Sequence, residues 1–312
     1  LATRPSAPRP LMRVSVDLGP EVALANVGFQ NVLAISPDGR RLVFTARRTD
    51  GILQLASYDL APDGARMLDQ RAVTLLSGTE GAQGPFFSPD SEWIGFFAGE
   101  KLKKLSVRGG VPIIVSNAPG PRGASWGDDG NIIAALSLGT DGLSRIPAGG
   151  GAPTAVSEVD GRRKKRYRWP QVLPGSRWVL FTAYQPGDEI EGSSVEILSL
   201  ETGETNSLAH GYFGRYLPSG HLVFVRQNTL FAAPLDLRRL ALTATAQPVL
   251  DGVSGPAYSG ARYFDFSRDG TFVHLSGTVG NNQVIYSVDS KGELSPLRSE
   301  AGQYYHPRFS PD

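Results

Sequence analysis

The chain has no cysteine, and only two methionines and four histidines in 312 residues. The absence of cysteine excludes a disulfide framework, a thiolate zinc site and a cysteine nucleophile. No apolar run reaches the 18 residues typical of a membrane-spanning helix, so we expect the chain not to span a membrane. An excess of one charge is also missing, because 31 basic and 30 acidic side chains leave a net charge of +1. We therefore expect no nucleic-acid partner.

Turn-forming residues are abundant, with 37 glycines and 23 prolines, and a short turn motif recurs along the chain. Successive motifs begin 52, 39, 46, 44, 50 and 43 residues apart. A period near this length is typical of one propeller blade. The seven motifs are Ser36-Pro37-Asp38-Gly39, Ser88-Pro89-Asp90-Ser91, Gly127-Asp128-Asp129-Gly130, Leu173-Pro174-Gly175-Ser176, Leu217-Pro218-Ser219-Gly220, Ser267-Arg268-Asp269-Gly270 and Ser310-Pro311-Asp312.

Short apolar segments flank each motif, as strands joined by a tight turn would. A third and a fourth β-rich run follow in most units, and helical periodicity is missing. The sequence predicts an all-β protein: a β-propeller of four-stranded antiparallel blades, with six full blades and the inner strand of a seventh. The expected inner strands of the first six units are Val32–Ile35, Pro85–Phe87, Ala124–Trp126, Pro170–Val172, Gly214–Tyr216 and Phe264–Phe266.

The two ends predict how the chain is organised. Residues 1–10 are predicted to be a Pro-rich linker and residues 11–312 a single propeller domain, cut from a longer protein. We expect Arg13–Leu18 to pair with the last sheet and Tyr304–Phe309 to be the inner strand of the seventh unit. An incomplete last blade would leave an open sheet edge, which predicts a homo-oligomer through that edge.

The Ser-Pro-Asp-Gly-Arg unit followed by an aliphatic and aromatic strand resembles the PD40 or TolB-like, WD40-like propeller repeat. Longer stretches such as Gly84–Asp90 and Ile94–Leu105 are similar to the extracytoplasmic propeller of bacterial serine/threonine kinases. The chain itself has no kinase motif. The resemblance implies a periplasmic or extracytoplasmic sensor or binding domain, tethered by an N-terminal segment that this sequence does not contain.

Two positions in each unit have side chains that can approach the propeller axis. The residue five before the motif is Arg in three units, namely Arg122, Arg168 and Arg262, and Tyr in two others, Tyr212 and Tyr305. Guanidinium and phenol groups are suited to anions or carbohydrates. With Asn31 and Gln83 at the same position, these residues are the predicted ligand site at the channel mouth. The alternative is that each arginine pairs with a carboxylate of a neighbouring blade.

The residue two before the motif faces the other way on a regular strand. This position holds Arg215 and Asp265, and Asp265 is the only carboxylate in either set. A calcium-dependent hydrolase needs several oxygen ligands in the channel, so we expect no metal, no cofactor and no catalytic residue. Ser125 lies in a Gly-x-Ser-x-Gly pattern, but a predicted strand follows it instead of the helix that a nucleophile elbow needs.

Two further features are interpreted as structural. The basic run Arg162–Arg168 is expected to be a solvated loop, and the aromatic residue directly before most motifs is expected to be core between sheets. The sequence thus predicts a non-catalytic ligand-binding or sensor module for an unknown small molecule or protein. The alternatives are a lactonase- or phosphotriesterase-like hydrolase with a channel site, and a protein-interaction scaffold.

Overall fold

The structure, a computed structural model, describes residues 22–25, 30–60, 73–137, 142–157, 165–185, 187, 189–256 and 259–275, and four short strands after them. These residues form β-strands and turns, and the described part contains one 3-10 turn, Ile190–Gly192, and no α-helix. No helical segment of this part is long and apolar enough to span a membrane.

Five antiparallel sheets form blades one to five: each has four strands in chain order, and the first and fifth have one additional strand. Blade one contains β2 (Leu33–Ile35), β3 (Arg41–Arg48), β4 (Leu53–Asp59) and β5 (Thr74–Leu75), and a preceding strand, β1 (Val22–Leu24), pairs with β3. Blade two contains β6 (Gln83–Phe87), β7 (Trp93–Ala98), β8 (Lys101–Ser106) and β9 (Ile113–Asn117). Blade three contains β10 (Ala124–Trp126), β11 (Asn131–Ala134), β12 (Ser144–Pro147) and β13 (Thr154–Ala155).

The next two blades repeat the arrangement. Blade four contains β14 (Arg166–Val172), β15 (Trp178–Tyr184), β16 (Ser194–Ser199) and β17 (Thr205–His210). Blade five contains β18 (Tyr212–Tyr216), β19 (His221–Arg226) and β20 (Thr229–Asp236), with β21 (Ala241–Leu242) and β22 (Gln247–Leu250) both paired to β20. Each predicted inner strand of these five blades lies in a different sheet, as the repeat predicted, and in blade one β1 precedes it in the chain.

The sixth unit begins with a two-stranded sheet of β23 (Phe264–Phe266) and β24 (Phe272–His274). Two further strand pairs follow in the described residues, formed by β25 (Asn282–Gln283) with β28 (Gly302–Gln303) and β26 (Tyr286–Val288) with β27 (Leu294–Pro296). The predicted count of six full blades and part of a seventh is therefore wrong: the described structure has five complete blades. Residues 304–312, and the predicted closing strand Arg13–Leu18, lie outside the described residues.

The sixth unit contacts blade one directly. Asp265 Oδ2 accepts a hydrogen bond from the Ile35 N–H at 3.0 Å, and the Arg268 N–H donates to the Pro37 carbonyl at 2.8 Å. Tyr263 is fully buried in the core cluster of blade one. Among the described residues, the inner strand of the sixth unit therefore lies directly beside that of blade one.

The recurring motif forms a hairpin turn, as its residues predict. In the first unit the Gly39 N–H donates to the Ser36 carbonyl at 2.8 Å, and Gly39 has a φ of 72°, which favours glycine. The Ser36 hydroxyl donates to Asp38, and the same Asp38 oxygen accepts the Arg40 N–H at 3.1 Å. Equivalent bonds occur at Ser88 with Asp90 and at Ser267 with Asp269. The turn motif therefore stabilises the hairpin that joins each inner strand to the next strand.

The hydrophobic core lies between neighbouring sheets. One cluster joins Ala34, Val43 and Leu55 of blade one to Ile94 and Phe96 of blade two. This side-by-side packing of sheets is the packing of a propeller, and it holds the inner strands around one axis.

Candidate functional site

The inner strands surround a central channel that contains two adjoining cavities, of about 390 and 160 Å³. The larger cavity opens at the end where the motif turns lie, and it is lined there by Asp128, Pro174, Pro218 and Arg268. Five residues line both cavities and therefore mark the shared wall of the channel: Trp126, Gln171, Arg215, Asp265 and Phe266.

The polar wall of the channel comes from one repeat position, the residue two before each motif. Five of the six side chains at this position line a cavity, namely Phe86, Ser125, Gln171, Arg215 and Asp265. Successive inner strands enter the ring in the same orientation, so that equivalent positions point the same way. The channel surface is thus a set of equivalent residues of different chemistry.

Three of these side chains join their own blade to the next. Ser125 Oγ accepts the Val172 N–H at 2.9 Å, and Gln171 Oε1 accepts the Tyr216 N–H at 2.6 Å. Asp265 accepts the Ile35 N–H in the same manner at ring closure. Ser125 is thus an acceptor in an inter-blade bond, and a strand follows it, as the sequence predicted.

Arg215 is the cation of the channel. Its Nη1 donates to the carbonyl oxygens of Trp169 at 3.1 Å and Gly214 at 2.9 Å, and the guanidinium lies 4.1 Å from the centre of the Phe213 ring. Burial lowers the pKa of Arg215 to about 10, while nearby Asp265 opposes this change. The side chain therefore stays charged at neutral pH.

Asp265 is the anion of the same channel. Burial raises its pKa to about 6, against the opposing influence of Arg215 and of the Ile35 and Phe266 backbone N–H groups. Oδ1 accepts the Phe266 N–H at 2.9 Å. Among the ion pairs of the described residues there is none between Arg215 and Asp265. The channel thus holds two opposite charges on adjacent units that do not neutralise each other by direct contact.

Aromatic rings form the rest of the wall. Trp126 and Phe266 line both cavities, Tyr216 lines the larger one, and Phe86 and Trp169 line the smaller one. The sequence assigned Trp126, Tyr216 and Phe266 to the core alone, and this is incomplete, because each is only partly buried against the core and also faces the channel.

An ion pair crosses the turn-side mouth. Arg268 Nη2 lies 2.8 Å from Asp128 Oδ1, and both side chains are well exposed. Asp128 belongs to blade three and Arg268 to the sixth unit, which lie on opposite sides of the ring. The pair therefore passes over the entrance to the larger cavity.

The arginines that the sequence predicted as ligand-binding lie outside the two cavities. Arg168 is buried, donates through Nη1 to the Ser259 carbonyl at 3.1 Å and lies 4.3 Å from the centre of the Tyr184 ring. Burial, with repulsion from Arg122 second, lowers the pKa of Arg168 to about 10. Neither Arg122 nor Arg168 lines either cavity. These guanidinium groups lie at the far end of the inner strands, away from the motif turns.

Arg262 and Tyr212 form a buried pair at the same end. Arg262 Nη2 donates to the Tyr212 hydroxyl at 2.5 Å and to Asn228 Oδ1 at 2.8 Å, and Nη1 donates to the Ala261 and Pro256 carbonyls. The Tyr212 hydroxyl donates to Glu191 Oε1 at 3.0 Å. Burial raises the pKa of Tyr212 to about 12 and lowers that of Arg262. The pair is outside both cavities.

The remaining predicted residues divide three ways. Asn31 lines the smaller cavity, while its amide bonds locally to the Leu33 carbonyl at 2.8 Å. Gln83 is half-buried and outside both cavities. Tyr305 lies outside the described residues.

A bulge in three of the inner strands separates the residues five before the motif from the residues two before it. Strand pairing shifts between Gln83 and Phe86, Arg168 and Gln171, and Tyr212 and Arg215. Beside each shift a residue has a left-handed conformation: Gly84, Trp169 and Phe213 have φ of 59°, 55° and 53°. Such bulges re-aim side chains. The alternation of a strand already indicated two opposed sets, and the structure shows that the set nearer the motif faces the channel.

Within the described residues, no group of three or more histidine, aspartate or glutamate side chains could hold a metal ion. Asp265 is the one acidic side chain of the shared channel wall, and Arg215 lies beside it. The donor set of this part therefore does not fit a calcium cage, which needs several converging oxygen ligands.

Comparison with known proteins identifies the fold. No protein-family model and no curated protein sequence matches the chain. A protein assigned as TolB from Agrobacterium tumefaciens has a TM-score of 0.57 at 16% identity, over 78% of this chain and 88% of its own. TolB from Acinetobacter baumannii has a TM-score of 0.51 at 16% identity, over 70% of this chain and 54% of its own.

A puromycin hydrolase is also similar, with a TM-score of 0.51 at 20% identity over 84% of this chain and 44% of the hydrolase. At these identities the likeness shows the fold alone. The chain has a TolB-like β-propeller fold, and its function must be argued from the channel.

Proposed function

We propose that this propeller is a non-catalytic binding module that holds a small carbohydrate-like or anionic molecule at the turn-side mouth of its central channel. The observation that carries the proposal is the pair of opposite, half-buried charges, Arg215 and Asp265, in a cavity walled by aromatic rings. Known small-molecule sites combine an apolar concave wall with a few convergent polar groups, in cavities of roughly 300 to 1,000 Å³. The larger cavity, of about 390 Å³, is in that range.

Each wall group has a role in this proposal. The faces of Trp126 and Phe266 pack against the apolar face of a sugar ring. Asp265 accepts hydrogen bonds from hydroxyl groups, and Arg215 donates to a carboxylate or to hydroxyl oxygens. The Ser125 hydroxyl keeps its proton for donation, because its described bond uses the oxygen as acceptor.

The residues predicted from the sequence support the site from the far end. We assign Arg168 and Arg262 the role of holding the segment 259–262 against blades four and five. Arg168 donates to the Ser259 carbonyl, and Arg262 donates from this segment to the Tyr212 hydroxyl and to Asn228 Oδ1. Arg122 and Tyr212 belong to the same assembly, because Arg122 lies close enough to Arg168 to lower its pKa and Tyr212 accepts a hydrogen bond from Arg262. Asn31, which lines the smaller cavity, contributes directly to binding.

Calorimetry with glucose and glucuronate tests the proposal. The Arg215→Met variant removes the cation and keeps most of the side-chain volume, and we expect its affinity for glucuronate to fall at least tenfold. Arg226→Met is the matched control, because Arg226 also stacks on a phenylalanine, 4.3 Å from the centre of the Phe231 ring, and does not line either cavity. Absence of binding to the native protein, or equal losses in both variants, would contradict the proposal.

A channel hydrolase is the second candidate, and the pKa of Asp265 favours it. A carboxyl group that titrates near pH 6 is suited to proton transfer at neutral pH. Turnover of ester or lactone substrates that is abolished by Asp265→Asn would support the hydrolase over the binding module. Loss of that turnover with a chelator would in addition indicate a metal.

The wider role is a proposal from the family resemblance. A sensor or protein-interaction function, and a periplasmic or extracytoplasmic location, fit a TolB-like propeller. Binding that depends on the channel residues distinguishes a ligand sensor from a scaffold, because a scaffold uses its outer surface.

A further inference from the structure

We propose that the channel site selects a zwitterionic ligand, one that carries an acidic group and a protonated amine a few ångströms apart. This inference rests on the proposed function, because it specifies the ligand of the same site. The sequence predicted an anionic or carbohydrate-like ligand at Arg122, Arg168 and Arg262, whereas the fold brings Arg215 and Asp265 together in one cavity.

Arg215 offers free donors to the cavity. All of its described hydrogen bonds leave from Nη1 and end on backbone carbonyl oxygens. A guanidinium has five N–H groups, so Nε and Nη2 remain for a ligand in the cavities that Arg215 lines. Carbonyl oxygens carry no formal charge, so the positive charge of Arg215 lacks a directly bonded anion.

Asp265 offers free acceptor positions to the same cavity. Each of its carboxylate oxygens accepts one backbone N–H, from Phe266 and from Ile35. A carboxylate oxygen has about two acceptor positions, so each oxygen can take one more donor. Backbone amides are neutral, so within the described part of the chain the negative charge of Asp265 also lacks a directly bonded cation.

The neighbouring charges do not alter this balance. Asp128 and Arg268, the other charged residues that line the larger cavity, pair with each other across its mouth. The channel thus presents one positive and one negative group, on adjacent units and without direct contact. A simple anion pairs with Arg215 but is repelled by Asp265. A simple cation pairs with Asp265 but is repelled by Arg215. A zwitterion compensates both half-buried charges.

The test is a series of four monosaccharides that share one ring: glucose, glucuronate, glucosamine and 2-amino-2-deoxyglucuronate. Calorimetry at pH 7.5 measures their affinities for the intact chain. We expect the zwitterionic member to bind at least tenfold tighter than glucuronate or glucosamine. Glucuronate binding as tightly as the zwitterion would overturn this inference and leave the proposed function standing. Failure of every member to bind would overturn both.

Two variants reverse the selectivity if the inference is right. Asp265→Asn removes the negative charge and keeps an acceptor oxygen, so glucuronate should become the preferred ligand. Arg215→Gln removes the positive charge, so glucosamine should become preferred. Arg226→Met should keep the native order, and an unchanged order in Asp265→Asn would overturn the inference. If a variant fails to fold, the affinity order of the native protein decides the question alone.

Discussion

At the scale of single residues, the chemistry of the channel depends on Asp265. The carboxyl group is placed in the ring by two backbone amides, and burial makes its charged form costly. The same burial makes the charge effective toward a ligand, because fewer water molecules screen it.

Because the pKa of Asp265 is raised, we expect the stability of the protein to depend on pH. Its pKa is about 6 in the folded protein and 3.8 in the ordinary state, so the folded state binds the proton more tightly. The contribution of Asp265 to the free energy of unfolding therefore rises as pH falls from about 7 toward 4, by at most roughly 3 kcal/mol. Denaturant unfolding at pH 7.5, 6 and 5 measures it, and Asp265→Asn should remove this rise.

Asp236 provides the matched control for that measurement. Its pKa is lowered by backbone hydrogen bonds from Arg238 and Arg239, so its contribution is lost as pH falls through the folded-state pKa. Asp236→Asn should leave the rise due to Asp265 in place. If the native protein and Asp265→Asn show parallel pH profiles, Asp265 has an ordinary pKa.

Gly95 predicts a steric effect. A Cβ at this position would lie 2.2 Å from Cζ of Phe86, whose ring crosses the neighbouring strand and reaches the channel. We expect Gly95→Ala to lower the free energy of unfolding by about 1 to 3 kcal/mol, because the ring must move. Gly149→Ala, where nothing lies within 4 Å of an added Cβ, is the control and should change stability little.

A second substitution tests whether the Phe86 ring causes the loss of stability in Gly95→Ala. Phe86→Leu in the Gly95→Ala background should restore part of the loss, and a double-mutant cycle measures the coupling. Additive effects would mean that Gly95 is needed for a reason other than the Phe86 ring.

At the scale of elements, the inner strands are held to one another by channel side chains as well as by core packing. Ser125, Gln171 and Asp265 each accept a backbone N–H of the next unit. Arg215 cannot accept a hydrogen bond, and the Phe266 N–H of the following unit is satisfied by Asp265 instead. The polar position of the repeat therefore bonds to the next unit through Ser125, Gln171 and Asp265, and Arg215 is the exception among these four.

Ser125 tests this inter-blade bond. Ser125→Ala leaves the Val172 N–H without its acceptor, which should cost about 1 to 2 kcal/mol of unfolding free energy. Hydrogen exchange of the Val172 amide should become faster. Ser207→Ala, on an exposed strand position of blade four, is the control. Unchanged exchange at Val172 would mean that the bond does not protect this amide.

At the scale of the whole molecule, the sixth unit closes the ring against blade one. The closure combines a buried side chain, Tyr263, with the bonds from Asp265 and Arg268 to the first unit. The channel wall needs this closure, since Asp265 and Phe266 come from the sixth unit.

Tyr263→Ala tests the closure. Tyr263 is fully buried among residues of blade one, including Val32 and Phe44, and we expect a loss of about 3 to 5 kcal/mol in the free energy of unfolding. Val249→Ala, at a residue with 56% exposure, should cost less than about 0.5 kcal/mol. A small effect of Tyr263→Ala would mean that the sixth unit contributes little to closing the ring.

Much of the architecture can be predicted from local sequence. The Ser-Pro-Asp-Gly turns, the strands around them and the inner-strand positions follow from short-range chemistry, because a turn at Gly39 is formed by residues within four positions of each other. The repeat period also predicts the propeller. The predicted blade count failed because a motif predicts a turn and not the sheet to which its strands belong.

The candidate site proposed from the structure overlaps only partly with the residues that the sequence predicted. The sequence identified both sets of axis-facing positions and the unusual carboxylate, Asp265, but assigned the ligand to Arg122, Arg168 and Arg262. The choice between the sets depends on bulges at residues such as Trp169 and Phe213, whose left-handed backbone is unusual for large side chains.

The sequence alone therefore determined the repeating strand and turn pattern, because the turns depend on contacts between residues close in the chain, and the period of that pattern indicated the propeller fold. The tertiary structure decided where the ring closes, which repeat position faces the channel, and that Arg215 and Asp265 share one cavity. These outcomes depend on packing between units, such as the bond of Asp265 to Ile35 across 230 positions. No local pattern specifies such a contact, because its free energy comes from burial that exists only in the closed ring.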